Sequence, residues 1–201
     1  MPHQVSAILL AAGSSRRTGR LKQLLPLKGK PIIRHSLDAL LASGIGDIVV
    51  VLRSGDPDTI RVVNRLPVYI VFNPIQESDM AGSLRTGLRG VDKSSIGVLV
   101  SLADQPLVSA ETIKLLAARH CQEPDRIFIP RYETKKGHPV LLPKSLLEDI
   151  YSGGTLRDII KRYPERVSLV PVTDEGVIID IDTMEEYRKV LIKFGCDNGN
   201  S

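Results

Sequence analysis

Short, uninterrupted apolar runs recur along the chain and alternate with segments of helical periodicity. The runs of strand length are VSAILLAA, DIVVVL, VYIVF and GVLVSLA. Continuous apolar runs, rather than alternating ones, are typical of strands that are covered on both faces. Strands that alternate with helices indicate an α/β fold with a mainly parallel sheet and right-handed crossovers.

The helical segments carry recognisable start and stop residues. Pro31 suits the first turn of a helix that ends at Gly44. Ser109 is predicted to cap a helix over SAETIKLLAARHC. The spacing of Thr183 and Glu186 predicts a capping box before the last helix. Helices of this kind are expected to cover the sheet.

One part of the chain breaks this rhythm. Residues 131–172 contain two short helical pieces and the pair Gly153-Gly154. This segment is either an insertion or a substrate-side flap on the same domain. The length of 201 residues suits one larger core. We therefore expect a single domain over residues 1–195 and a disordered tail over residues 196–201.

Composition limits the classes of function. The chain is 42% hydrophobic and 25% charged, as globular proteins are, with a net charge of +4. A nucleic-acid binder would combine a larger basic excess with stacking aromatics, whereas only 4% of the residues are aromatic. No apolar stretch approaches the roughly 20 residues of a membrane span, and Cys121 and Cys196 lack zinc-site spacing. We expect a cytoplasmic protein that binds neither nucleic acid nor membranes.

The loop after the first apolar run concentrates cations. In open α/β sheets, ligands bind outside the carboxyl ends of the strands, and this run delivers Gly13 to that edge. Gly13, Ser14 and Ser15 can turn tightly and direct backbone N–H groups at an anion. Arg17 and Lys22 add the charge that a triphosphate requires. The spacings of a P-loop and of a dinucleotide fingerprint are absent. On these residues alone, the loop is either a triphosphate pocket or a solvated turn.

A family resemblance favours the pocket. The stretch LAAGSSRRTGRLKQLLPLKGKPII resembles the nucleotidyltransferase signature Leu-Ala-Ala-Gly-x-Ser-x-Arg-Met-Gly-x-x-Lys, followed by a Leu-Leu-Pro…Gly-Lys-Pro run. Thr18 departs from the usual Met or Leu. The Ala-Ala-Gly and the short spacing from Gly19 to Lys22 are similar to the molybdenum cofactor cytidylyltransferases, a branch of the MobA-like nucleotidyltransferases. The resemblance implies a three-layer, Rossmann-like nucleotidyltransferase fold.

The resemblance also implies which residues hold the nucleotide. The backbone of residues 10–12 would contact the nucleoside, and Arg17 and Lys22 would hold the phosphates. The nucleotide-binding positions that it implies are Leu10, Ala11, Ala12, Gly13, Ser14, Ser15, Arg17, Lys22, Asn73 and Ser83. The stretch around Asn73 and Ser83 departs from the family pattern, because Asp79 replaces a Gly and Gly82 replaces a Ser.

Two acidic segments resemble the family's metal site. Asp104 follows the fourth apolar run in an Ala-Asp-Gln-Pro motif, whose Asp coordinates Mg²⁺ in the family. Asp180 and Asp182 are predicted on one face of a strand in VIIDIDTMEEY, near the same metal. Asp104 and Asp182 are the expected Mg²⁺ ligands, with Asp180 as the competitor of Asp182. The catalytic set is then Arg17, Lys22 and Asp104.

The acceptor side is predicted from a Gly-His-Pro-Val motif. His138 in this motif resembles the pterin-side residue of the molybdenum cofactor cytidylyltransferases and would bind the acceptor phosphate. The family often has Arg before the Gly, where this chain has Lys136, which keeps the charge but not the forked donors. Arg157 either faces the acceptor or lies on a helix surface.

These motifs together predict a Mg²⁺-dependent transfer of CMP from CTP to the phosphate of molybdopterin, with release of pyrophosphate. The product could then pass to a molybdenum hydroxylase. One alternative keeps the fold but uses GTP, or a sugar or polyol phosphate acceptor. The other is a nucleotide-binding accessory protein that handles the cofactor without catalysis.

Overall fold

The computed structural model describes residues 5–13, 22–74 and 79–194. Its strands are β1 (Val5–Leu10), β2 (Pro26–Leu27), β3 (Lys30–Pro31), β4 (Asp47–Arg53), β5 (Tyr69–Asn73), β6 (Gly97–Leu102), β7 (Ile127–Tyr132), β8 (Lys135–Lys136), β9 (Val140–Pro143) and β10 (Val167–Pro171). Its helices are α1 (Ile32–Ala42), α2 (Pro57–Val63), α3 (Met80–Leu88), α4 (Ala110–Gln122), α5 (Glu148–Tyr151), α6 (Leu156–Arg162) and α7 (Met184–Lys193). Short 3-10 turns cover Lys22–Leu24, Lys144–Leu147, Pro164–Arg166 and Glu175–Ile178.

The central sheet has the strand order β10-β7-β9-β6-β1-β4-β5, and β8 pairs with β7. Strands β5, β4, β1 and β6 pair in parallel, as do β7 and β10. Strand β9 runs antiparallel between β6 and β7. The prediction of an α/β fold with a mainly parallel sheet is therefore confirmed.

Helices cover both faces of this sheet and form two apolar cores. On one face, side chains of α1, α2 and α4 such as Leu37, Val63 and Leu116 pack against the sheet. On the other face, α3, α5 and α6 contribute residues such as Leu84 and Ile150. The alternating side chains of the buried strands β1, β4 and β6 feed both cores, which explains their uninterrupted apolar runs.

A third apolar cluster joins the segment that follows Lys22 to the C-terminal helix α7. It packs Leu27 and Ile32, from the segment around the β2–β3 hairpin, against Ile181, Tyr187 and Val190. The Tyr187 hydroxyl donates a hydrogen bond to a carbonyl oxygen of this hairpin. Helix α7 is thereby held beside the segment that follows Lys22.

The structure corrects the prediction that the strand formed by VYIVF is covered on both faces. Strand β5 is at the edge of the sheet, and its Tyr69 and Phe72 side chains are 65% and 46% exposed. Among the residues that the structure describes, β4 is the only strand that pairs with β5. The run is apolar, but its position at the edge leaves part of it in contact with solvent.

Residues 131–172 are built into the sheet. They contribute the end of β7, the β8 hairpin strand, the reversed strand β9 and the edge strand β10, with α5 and α6 between the last two. The break in rhythm marks the point where an antiparallel strand interrupts the parallel order.

The predicted helix ends are confirmed, with one small shift. The Ser109 hydroxyl accepts a hydrogen bond from the Thr112 amide, and Thr183 and Glu186 form a capping box. Gly44 follows α1 with a positive φ of 83°. Pro31 lies one residue before α1 rather than in its first turn.

Within the described ranges, no helix is both long and apolar enough to cross a bilayer. Cys121 is exposed at the end of α4. Cys196 and the predicted tail over residues 196–201 lie outside the described residues.

Candidate functional site

A cavity of about 150 Å³ lies at the carboxyl edge of the neighbouring strands β1 and β6. Its lining residues are Leu10, Ala11, Gly13, Lys22, Gln23, Ala103, Asp104 and Asp182. The cavity thus combines the ends of both strands, including Asp104 just after β6, with Lys22 and Asp182 from distant parts of the chain. It is the edge at which open α/β sheets bind ligands.

Hydrogen bonds between strand ends fix the floor of this cavity. The Ala11 amide donates to the Val51 carbonyl oxygen at 2.9 Å, and the Ala103 amide donates to the Leu10 carbonyl oxygen at 3.1 Å. The pairing of β1 with both neighbours therefore continues past the ends of the strands. Backbone at Leu10 and Ala11 is held rigidly where the resemblance implies contact with a nucleoside.

Lys22 reaches the cavity because the 3-10 turn that carries it is anchored to α2. The next residue, Gln23, is 8% exposed. Its side-chain amide nitrogen donates to the Asp56 carboxylate at 3.2 Å and to the Thr59 hydroxyl at 3.5 Å. Asp56 also caps α2 through the Thr59 amide at 3.0 Å. Gln23 is a site residue that the sequence interpretation missed, because its partners lie far away in the chain.

Asp182 forms an ion pair with Lys22 in the lining of the cavity. The Lys22 ammonium donates to an Asp182 carboxylate oxygen at 3.1 Å, and the two side chains are 18% and 53% exposed. The Ile181 amide donates to the Asp104 carbonyl oxygen at 2.9 Å, which ties the residue before Asp182 to the end of β6. The segment is not the strand that was predicted: it is a connection between the 3-10 turn Glu175–Ile178 and α7.

Asp104 is a carboxyl group in an unfavourable environment. Burial, followed by the negative charges of Asp182 and Asp180, raises the pKa of Asp104 to about 6, although a backbone hydrogen bond and Lys22 oppose the rise. Its Oδ1 atom is buried and has no hydrogen-bond partner among the described residues. A buried oxygen without a donor needs an explanation, and a cation bound to that oxygen would provide one.

The donor set suits a hard divalent cation. Mg²⁺ binds carboxylate oxygens and usually takes its remaining ligands from substrate phosphates and water. The unpartnered oxygen of Asp104 and the nearby carboxylate of Asp182 fit this requirement. Among the residues that the structure describes, no group of three or more His, Cys, Asp or Glu side chains is arranged to hold a metal by itself.

His138 lies beside the same acidic segment. Its amide donates to the Val177 carbonyl oxygen at 2.9 Å, three residues before Asp180. Burial lowers the pKa of His138, and the negative charge of Asp180 opposes this. Asp180 therefore acts electrostatically on both His138 and Asp104. At neutral pH the His138 imidazole is uncharged, so it can donate one hydrogen bond but adds no positive charge.

Asn73 and Ser83 do not line the cavity. They are 3% and 6% exposed, and the Asn73 amide donates to the Ser83 hydroxyl at 3.1 Å. The family departure at Asp79 has a structural role, because its carboxylate caps α3 by accepting from the Gly82 amide at 2.7 Å. The predicted role of Asn73 and Ser83 in base recognition stays a prediction.

The remaining predicted residues divide into two groups. Ser14, Ser15 and Arg17 lie outside the described residues. Arg157 is exposed in the first turn of α6 and is not among the residues that line the cavity. Ala12 directly follows the lining residue Ala11.

Comparisons with known proteins agree with this architecture. Residues 7–167 match the family model described as a MobA-like NTP transferase domain. The nicotine blue oxidoreductase of Paenarthrobacter nicotinovorans is 29% identical over 199 residues, which cover 93% of this chain and 96% of that protein. The family that the loop motif predicts is confirmed.

Solved structures of other proteins superpose on nearly the whole chain. Rv0371c of Mycobacterium tuberculosis H37Rv is 26% identical, with a TM-score of 0.80 over 94% of this chain and 98% of that one. A nucleotidyl transferase from Methanothermobacter thermautotroptrophicus, Mth528, superposes with a TM-score of 0.81 over 97% and 99% of the chains, and at 23% identity it shows the fold alone. The Rossmann-like nucleotidyltransferase fold is thereby confirmed.

Proposed function

Because the chain belongs to the MobA-like NTP transferase family and is a nucleotidyltransferase, we propose that it transfers CMP from CTP to the phosphate of molybdopterin and releases pyrophosphate. The observation that carries this proposal is the cavity at the ends of β1 and β6, where Lys22, Asp104 and Asp182 converge. It offers a cation for phosphates and carboxylates for a metal ion at the ligand-binding edge.

The reaction requires little covalent chemistry from the protein. An acceptor phosphate oxygen attacks the α-phosphorus of CTP, a new P–O bond forms, and the bond to the leaving pyrophosphate breaks with its electron pair. A phosphate monoester is already anionic at neutral pH, so no general base is needed. The Lys22 ammonium neutralises charge that grows on the pyrophosphate, and the rigid backbone at Leu10 and Ala11 positions the nucleoside.

Asp104 and Asp182 would hold the divalent cation. When bound, such an ion supplies charge neutralisation for the triphosphate. The buried, unpartnered Oδ1 of Asp104 supports this assignment. A second structure of Rv0371C, solved as a complex with manganese, is 26% identical with a TM-score of 0.74 and supports the use of a divalent metal ion. We propose Mg²⁺ as the ion, and His138 and Arg157 as acceptor-side residues.

The identity of both substrates can be tested in one experiment. Pyrophosphate release would be measured with each of the four nucleoside triphosphates and Mg²⁺, with and without molybdopterin. We expect release only when molybdopterin is present, with kcat/KM highest for CTP. If kcat/KM were highest for GTP, the nucleotide would be GTP rather than CTP, and the type of reaction would be the same. If a sugar or polyol phosphate were the active acceptor, it would take the place of molybdopterin in the proposal.

Two outcomes would contradict the proposal. Binding of CTP and Mg²⁺ without pyrophosphate release from any acceptor would favour an accessory protein. Reduction of a dye by NADH or NADPH would favour a redox reaction, as the name of the relative from Paenarthrobacter suggests for that protein.

Replacement of Lys22 by Ala is expected to lower the transfer rate by at least about tenfold, since a charge-assisted contact to the phosphates is lost. The change removes a partner of an Asp182 carboxylate that is 53% exposed, so the fold should lose little stability. The measurement is kcat/KM for CTP. Lys30→Ala is the matched control, because Lys30, on the β2–β3 hairpin, pairs with Asp38 of α1 and does not line the cavity. Equal rates in the wild type and Lys22→Ala would remove Lys22 from the mechanism.

A further inference from the structure

Arg131, at the carboxyl end of β7, has an unusual environment. Its Nε atom is buried and has no hydrogen-bond partner in the described part of the chain. It also forms no ion pair with any described residue. A buried N–H group of a guanidinium without an acceptor is costly, and such groups in native proteins call for a ligand or another explanation.

The cross-strand neighbour of Arg131 adds to this cost. Arg131 lies directly opposite Lys136 in the β7–β8 hairpin, so both side chains leave the same face of the sheet. Like charges directly opposite each other in a sheet repel. The repulsion and the missing acceptor would both be relieved by one anion placed between the two side chains.

The hairpin lies next to the acidic part of the site. The Gly137 amide donates to the Pro130 carbonyl oxygen at 2.9 Å, and the His138 amide donates to Val177 at 2.9 Å. These bonds hold the hairpin against the 3-10 turn that leads to Asp180. Strand β9 pairs antiparallel with both β6 and β7, so β6, which Asp104 follows, and β7, which carries Arg131, end at the same edge of the sheet.

From these observations we propose that Arg131 and Lys136 bind the phosphate monoester of the acceptor. This inference rests on the proposed function and adds the residues that recognise the acceptor's anionic group. A guanidinium offers several donors in a fixed fork, which suits two oxygens of one phosphate. Lys136 adds a point charge beside it, and the uncharged His138 adds a single donor without further repulsion.

The first test compares ligands with and without the phosphate. Binding of molybdopterin and of its dephosphorylated form would be measured by calorimetry in the wild type, Arg131→Gln and Lys135→Gln. Lys135 is a matched control, because it is exposed like Lys136 but pairs with Tyr132 and faces the other side of the hairpin.

In the wild type, removal of the phosphate should weaken binding by at least about tenfold, the scale of charge-assisted contacts. In Arg131→Gln the same removal should weaken binding by at least about threefold less than in the wild type, since the guanidinium is gone and only Lys136 and His138 are left to contact the phosphate. Lys135→Gln should behave as the wild type. An equal loss in all three proteins would overturn the inference.

A second measurement separates ligand binding from a structural role. Arg131→Met keeps the apolar stem and removes the unpartnered donor and the repulsion with Lys136. We expect the melting temperature of the ligand-free protein to rise by about 2–4 °C, a typical shift for a modest gain in stability in a chain of this size. A fall in the melting temperature would show that Arg131 serves the fold and would overturn the inference.

The inference and the proposed function can fail separately. Phosphate-dependent binding that is lost in Arg131→Gln, without any nucleotidyl transfer in the wild type, would support the subsite and contradict the function. Normal transfer by Arg131→Gln, with an unchanged KM for molybdopterin, would contradict the subsite and support the function.

Discussion

Replacement of Asp104 by Asn is expected to lower nucleotidyl transfer by about a hundredfold or more, because an amide oxygen is a weaker ligand for a divalent cation than a carboxylate. The variant keeps the size and shape of the side chain, so the cavity that Asp104 lines together with Lys22 and Asp182 should persist. The measurement is the rate of pyrophosphate release at saturating CTP, molybdopterin and Mg²⁺. Asp58→Asn, a change at an exposed carboxylate on α2, is the control and should leave this rate unchanged.

The same variant should be more stable than the wild type at pH 7. Burial and two neighbouring carboxylates raise the pKa of Asp104 in the folded protein to about 6, above the ordinary value of 3.8. The folded state therefore binds the proton of Asp104 more tightly than the unfolded state does. The resulting stabilisation is fully present below pH 3.8 and is lost as the pH rises through about 6. The amide of the Asp104→Asn variant carries no charge to bury, so the free energy of unfolding at pH 7 should rise by about 1–2 kcal/mol. Urea unfolding at pH 4 and pH 7 checks this, and a gain of equal size at both pH values would contradict it.

Replacement of Gly137 by Ala is expected to destabilise the fold strongly. A Cβ atom at this position would lie 2.2 Å from the Val177 carbonyl oxygen, which also accepts the hydrogen bond of the His138 amide. The two backbone segments cannot both keep their positions. We expect a loss of about 2–4 kcal/mol in the free energy of unfolding, the range of severe overpacking.

A matched glycine variant makes this test specific. A Cβ atom on Gly13 would meet no atom of residues 5–13, 22–74 or 79–194 within 4 Å, so Gly13→Ala should leave the free energy of unfolding nearly unchanged. Urea unfolding of both variants measures the difference. Equal stabilities of Gly137→Ala and the wild type would mean that the close contact between the hairpin and the 3-10 turn does not hold this part of the site together.

The buried strands could be predicted from the sequence because their apolar runs reflect contacts on both faces. The same pattern failed for β5, since the exposure of Tyr69 and Phe72 depends on the strand's position at the edge. Strand order arises from long-range pairing, which a local pattern does not encode. For the same reason, residues 131–172 could be recognised as irregular, but the reversal of β9 within the sheet could not be predicted.

The site residues likewise divide into those that local motifs predict and those that depend on contacts between distant parts of the chain. The motifs predict Lys22 and Asp104 as partners, and the structure places both around one cavity. Gln23 was missed because its hydrogen bonds reach Asp56 and Thr59, more than thirty residues away. Arg131 was missed because its significance lies in an absent partner and in its position opposite Lys136, neither of which the sequence reveals.

The central claim is that a metal ion and a triphosphate bind together between Lys22 and Asp104. Binding of Mn²⁺ in the presence of CTP, followed by electron paramagnetic resonance of the free ion, tests it most directly. The account predicts that the wild type and Asp58→Asn bind Mn²⁺ with CTP, and that Asp104→Asn binds it at least about tenfold more weakly. Equal affinity of Asp104→Asn and the wild type for Mn²⁺ in the presence of CTP would contradict it.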